Sequence, residues 1–68
     1  MEFHERLKKL RTEKGFTQKQ VAEKLGMAVR QYQRYEHGER KPTYDVIIEL
    51  CGCFEISSDE LLGLHSND

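Results

Sequence analysis

The stretch that most constrains this chain is Thr17–Gly38, TQKQVAEKLGMAVRQYQRYEHG. Its first segment, TQKQVAEKL, carries Val21, Ala22 and Leu25 on one face of a 3.6-residue period. Gly26 follows at once, where a helix end needs a residue tolerant of the left-handed backbone. MAVRQYQRYE then predicts a second helix, with Tyr32 and Tyr35 on one side and Arg30 and Arg34 four residues apart on another. Gly38 closes it in the same way. Two short helices hinged on a glycine leave little choice of fold: each must bury its stripe against further helices.

Those helices flank the pair. Residues 2–14 predict a helix with Phe3, Leu7 and Leu10 as its buried stripe and Gly15 beyond its end. Thr17 with Gln20 forms a capping box for the next, and Phe16 with Val21 its hydrophobic staple. Ala28 is a poor cap for the third helix, weaker than Ser or Thr by about 1 kcal/mol. Pro42 ends a charged loop, HGERK, and Thr43 caps a helix whose stripe is Ile47, Leu50, Cys51 and Phe54. Val46 and Ile48 lie off that stripe, which leaves burial by the last helix or exposure toward a partner. Ser57 with Glu60 forms a second capping box for a helix ending at Gly63, with Ile56 and Leu61 as its staple. The expectation is an all-α domain of five helices over residues 1–63, followed by a polar tail, 64–68.

Sixty-eight residues make one small domain without room for a deep catalytic pocket. His4, His37 and His65 are scattered, no paired carboxylates or glycine-rich phosphate loop accompany them, and no enzyme is expected. Cys51 and Cys53 are too close along a helix for a relaxed disulfide and lack a second pair of zinc ligands. Cys51 is expected in the core and Cys53 partly exposed, and neither a metal nor a cofactor is expected. No membrane span or signal peptide is visible, so a cytoplasmic setting with reduced thiols is expected.

The net charge of −1 hides a division. Residues 1–41 hold all 11 Lys and Arg against six acids, 11 − 6 = +5, whereas residues 42–68 hold six acids and no Lys or Arg, −6. One end can face a polyanion while the other is kept away from it. With helix, glycine turn and helix at the basic end, the pattern is that of a motif that sets its second helix into the DNA major groove.

The ordered set TQ (17–18), VAEKLG (21–26), YE-x-G (35–38), Pro42 and SxDELL (57–62) resembles the phage repressor and Cro type, or Xre family, of helix-turn-helix regulators, over about residues 3–63. The resemblance implies a compact lambda-repressor-like fold with the motif at the second and third helices. It implies a homodimer on paired half-sites, about one duplex turn or ~34 Å apart. By position it implies base contacts from Ala28, Val29, Arg30 and Arg34, the arginines suiting guanine and the apolar pair a thymine methyl. Phosphate contacts fall to Gln18, Lys19, Gln33, Arg40 and Lys41. Arg11 and Glu36 are implied to pair structurally, and Tyr35 to belong to the core. Val46, Ile48, Ile56 and Leu64 are the expected dimer seam. The implied function is sequence-specific binding of a double-stranded DNA operator by a transcriptional regulator, most simply a repressor. The alternative is a protein-interaction module, antitoxin-like, that meets a regulatory protein partner through the acidic surface of the last two helices.

Overall fold

The computed structural model describes residues 2–64. Five helices follow in order: α1 (Phe3–Glu13), α2 (Gln18–Leu25), α3 (Val29–Glu36), α4 (Tyr44–Phe54) and α5 (Ser58–Leu62). No strand occurs among the described residues. α2 packs on α3 and α4, α1 on α3 and α5, and α4 on α5. The shared core is Leu7, Leu10, Val21, Ala22, Tyr32, Tyr35, Leu50, Phe54 and Leu61. Phe16 reaches it from the α1–α2 turn, its ring centroid 6.1 Å from that of Phe54, and the Lys24 ammonium lies over the Phe16 ring, 5.5 Å from its centroid.

The helix boundaries follow from local chemistry. At α2 both halves of the capping box are made: the Thr17 hydroxyl accepts from the Gln20 N–H at 3.0 Å, and the Gln20 side chain accepts from the Thr17 N–H at 2.8 Å. α1 starts one residue later than the expected bound, because the Glu5 carboxylate accepts from the Glu2 N–H at 3.0 Å and makes Glu2 the cap. α3 starts from Ala28 with no side-chain cap, as its sequence requires. Thr43 caps α4 by accepting from the Val46 N–H. At α5 the expected box is only half made: the Ser57 hydroxyl accepts from the Glu60 N–H at 3.1 Å, but the reciprocal bond is absent.

Each helix ends with a backbone reversal in which an N–H beyond the end bonds to a carbonyl five residues back. The bonds are Phe16 to Arg11, Met27 to Ala22, Glu39 to Arg34, Ile56 to Cys51 and Leu64 to Asp59. The turning residue is a glycine with positive φ four times, and Glu55, at φ 58°, the fifth. The sequence offers no sign of that fifth reversal, and the glycine of α4 stands three residues earlier, at Gly52, inside the helix.

Of the off-stripe residues of α4, Val46 is half-buried against the core and Ile48 is 50% exposed. Cys53 is half-buried, as the expected partial exposure has it, whereas Cys51, expected in the core, is also only half-buried and packs against the core from its margin. Burial pushes both thiols up, with Lys24 opposing at Cys53, so both remain protonated packing groups at neutral pH. The tail lies outside the described residues except for Leu64, as does His65.

Candidate nucleic-acid interface

The two-helix motif is held from behind by one buried carboxylate. Glu36, in the last turn of α3, has a side chain 1% exposed. Its Oε2 accepts from Arg11 Nε at 2.5 Å and from the Tyr32 hydroxyl at 2.5 Å. Its Oε1 accepts from Gln18 Nε2 at 3.0 Å and from Arg11 Nη2 at 3.3 Å. Four bonds fill the acceptor capacity of an ionised carboxylate. Arg11 spends its remaining reach on the Phe16 carbonyl, 2.8 Å away, tying α1 to the turn before α2. Three helices therefore meet at one charge. No buried side-chain N or O among the described residues lacks a partner.

This arrangement answers an electrostatic problem set by the sequence. A carboxylate at a helix C-terminus opposes the helix dipole, and burial raises the free energy of its charged form further. Burial alone would push the Glu36 carboxyl up; the bonds from Arg11, Tyr32 and Gln18 overcome it and hold the group below its ordinary range. The bond to Glu36 in turn raises the Arg11 guanidinium against a smaller effect of burial. Burial, with Glu36 beside it, pushes the Tyr32 hydroxyl well above its usual value. Arg11 and Glu36 are thus paired, where the resemblance places them.

Two glutamines extend this anchor to the surface. Gln33 Nε2 donates to Gln18 Oε1 at 3.0 Å, so Gln33, Gln18 and Glu36 form a chain across the α2–α3 angle. Both glutamines are half-buried. Their side chains are committed to this chain, and each retains one amide N–H not used in it. The sequence reading assigned them outward roles alone and missed this link, as it missed the Tyr32 hydroxyl. The four-residue spacing of Tyr32 and Glu36 on one helix was the available signal for the latter.

The outer face of α3 is different in kind. Ala28, Arg30, Gln31, Arg34 and Arg40 line one shallow groove of about 320 Å³. All five are exposed. Val29 is half-buried, packed against the core rather than open to the groove, so of the four expected base-contact residues it is the least available. Lys19 and Lys41 are exposed outside it. Among the described residues the ion pairs are Arg11–Glu36 and an exposed His37–Glu39 contact at 3.9 Å. Arg30, Arg34, Arg40, Lys19 and Lys41 therefore face solvent without a carboxylate partner. Three guanidiniums around one groove set up a positive field suited to phosphate and to base-edge acceptors.

At the acidic end, Tyr44 is 78%, Ile48 50% and Leu64 68% exposed, while Ile56 is half-buried against the core. The four residues expected at a dimer seam are thus unequally available: Ile48 and Leu64 are open, Val46 and Ile56 mostly spent inside. Among the described residues no helix is long and apolar enough to cross a membrane, and no group of three or more His, Cys, Asp or Glu side chains could hold a metal ion.

Known proteins agree with this architecture. The sequence pattern of the helix-turn-helix family matches residues 7–61. The HTH-type regulator YqaE of Bacillus subtilis is 41% identical over 66 residues, covering 97% of this chain and 57% of the relative. The cryptic phage CTXphi transcriptional repressor RstR of Vibrio cholerae is 37% identical over the whole chain and 61% of its own length. This chain therefore spans about three-fifths of these relatives. Among solved structures, the restriction-modification controller protein C.AhdI of Aeromonas hydrophila superposes with a TM-score of 0.81 at 32% identity, covering 87% of this chain and 89% of that one. A transcriptional regulator from Listeria innocua superposes at 0.83 and 36% identity, over 98% of this chain and 63% of that one. With matching pattern, relatives and fold, the chain belongs to the Xre-type helix-turn-helix family of transcriptional regulators.

Proposed function

We propose that the protein binds double-stranded DNA sequence-specifically and regulates transcription, as a repressor, with α3 in the major groove. The observation that carries this reading is the groove of Arg30, Arg34 and Arg40 beside the exposed Ala28, with no carboxylate among the described residues paired with the three charges. Arg30 and Arg34 read base edges, and Ala28 with the rim of Val29 meets a thymine methyl. Arg40, Lys41 and Lys19 hold phosphates, joined by the remaining amide N–H groups of Gln18 and Gln33. The name of RstR, a phage repressor, supports the direction of control.

A homodimer completes the reading. Exposed Ile48 and Leu64, with the half-buried Val46 and Ile56, supply apolar surface for its seam. Two recognition helices would then sit about one duplex turn, ~34 Å, apart. With six to eight phosphate contacts in all, log K falls against log salt with a slope of roughly −5 to −7.

Selection of bound duplexes from a random pool tests the proposal, with Arg30→Ala/Arg34→Ala as control. An enriched palindrome that the control loses supports it. Enrichment of no sequence transfers the weight to a protein partner at the acidic α4–α5 surface.

A further inference from the structure

The α3–α4 loop also borders a second, larger cleft of about 450 Å³. Its volume falls in the range of small-ligand sites. Phe3, Tyr35, Pro42, Ile47 and Leu62 give it apolar walls. The polar groups at its edge are His4, Arg40 and Lys41, with Glu2 as the lone carboxylate. Neither Arg40 nor Lys41 pairs with Glu2 or with any other described carboxylate. The cleft gathers pieces of α1, α3, α4 and α5 and the loop between α3 and α4. Its inner corner is tight: a Cβ on Gly38 would lie 3.0 Å from the His4 ring, and Gly38 already has φ +75°. Arg40 lines both this cleft and the groove beside α3.

We propose that this cleft binds a small amphipathic anion, an apolar body of acyl or aryl type with one carboxylate head, and that its occupancy weakens DNA binding. The apolar walls take the body. The head pairs with Arg40 and Lys41, whose charges have no carboxylate partner among the described residues. Because Arg40 borders both sites, a carboxylate on the cleft side draws its guanidinium from the groove side. The two ligands then compete for one cation, and the effect is reciprocal: DNA lowers affinity for the anion by the same factor. The binding itself is independent of the DNA reading, whereas the competition rests on Arg40 serving phosphate as proposed above.

Decanoate, kept below its micellar concentration, is the probe, with 1-decanol and inorganic phosphate as comparisons. Amide shifts of the ¹⁵N-labelled protein report the site, and operator binding is measured alongside. Decanoate is expected to shift Phe3, Gly38 and Leu62 saturably. Decanol should bind about tenfold more weakly for want of the charged contacts, and phosphate alone should leave Phe3 and Leu62 unmoved. Leu62→Asn puts a neutral polar group on the cleft wall at an exposed position; it should weaken decanoate binding by about tenfold or more and reduce its effect on DNA equally, while operator affinity without decanoate stays unchanged. Saturable shifts undiminished in Leu62→Asn, shifts spread over the exposed α4 face, or no shifts at all overturn the site. Binding at the cleft with operator affinity unaffected overturns the competition and leaves the site standing. A protein that binds decanoate but no duplex overturns the DNA reading instead.

Discussion

The first three helices and the last two are stabilised by different means. α1, α2 and α3 converge on the Glu36 carboxylate, whose four bonds come from Arg11, Tyr32 and Gln18. α4 and α5 have no such centre; Leu50, Phe54 and Leu61 hold them by apolar burial, and their backbone is less favourable than it could be. Gly52 stands inside α4 at an exposed position where a Cβ would meet nothing within 4 Å, while Glu55 takes the left-handed turn that glycine fills elsewhere. The lesson is one of concentrated against distributed stabilisation. The basic half keeps its geometry through one constellation whose members depend on a single buried charge. The acidic half has small, separable reserves of stability.

The comparison is broken most directly at Arg11. Arg11→Ala leaves Glu36 buried without its cation, a loss of about 3–5 kcal/mol. A single small core supplies rarely more than that, so the variant should be largely unfolded at 25 °C by circular dichroism. A urea midpoint near wild type would remove Glu36 as the organising centre. Tyr32→Phe should cost less, about 1–3 kcal/mol, because one acceptor site of Glu36 loses its donor.

Acid applies the same test without mutation. The Glu36 carboxyl is held below its ordinary 4.5 in the fold, so the unfolded chain takes up its proton first. The stability it contributes is present above about pH 4.5 and is lost as pH falls through the lower folded value. Tyr32 works at the other limit: its raised value means that stability is full below about pH 10 and declines above it. Chemical denaturation across pH should therefore show losses on both sides, and Glu36→Gln, if folded, should flatten the acid side. An acid limb unchanged in that variant would place the titrating group elsewhere.

In the acidic half, changes should be smaller and of either sign. Ile48→Asp should weaken the proposed dimer by about tenfold or more, read by sedimentation, with the monomer fold intact. Gly52→Ala should raise stability by about 1 kcal/mol. Glu55→Gly should raise it by about 0.5 kcal/mol, the relief of left-handed strain exceeding the added freedom of the unfolded chain. A decrease in both would mean that α4 is not governed by local backbone preference.

Most of this fold is legible in the sequence because it is encoded locally. The Thr17 box, the glycine after α2 and the stripe through Leu50 and Phe54 each act over a few residues, and all appear where the pattern puts them. What escapes a linear reading acts across long separations. Gln18 and Glu36 are 18 residues apart and Gln33 and Gln18 are 15 apart; nothing in their spacing signals that two amides would be drawn inward to one carboxylate. The turn at Glu55 escapes for another reason, since packing of Phe54 and Ile56 into the core overrides the preference for glycine. Of the interface, the residue types and the charge division were readable, but the sharing of Arg40 between two concavities belongs to the tertiary arrangement alone.

The two sides of α3 also have an evolutionary consequence. Tyr32, Tyr35 and Glu36 hold its inner side, while Arg30, Gln31 and Arg34 remain exposed on the outer. Exchanges at exposed helix positions usually alter stability by no more than about 0.5 kcal/mol. The outer triplet can therefore drift through many combinations without crossing a folding threshold. Descendants of one such gene can part ways in the sites they recognise while remaining interchangeable in architecture, and a designer can recode α3 by the same route.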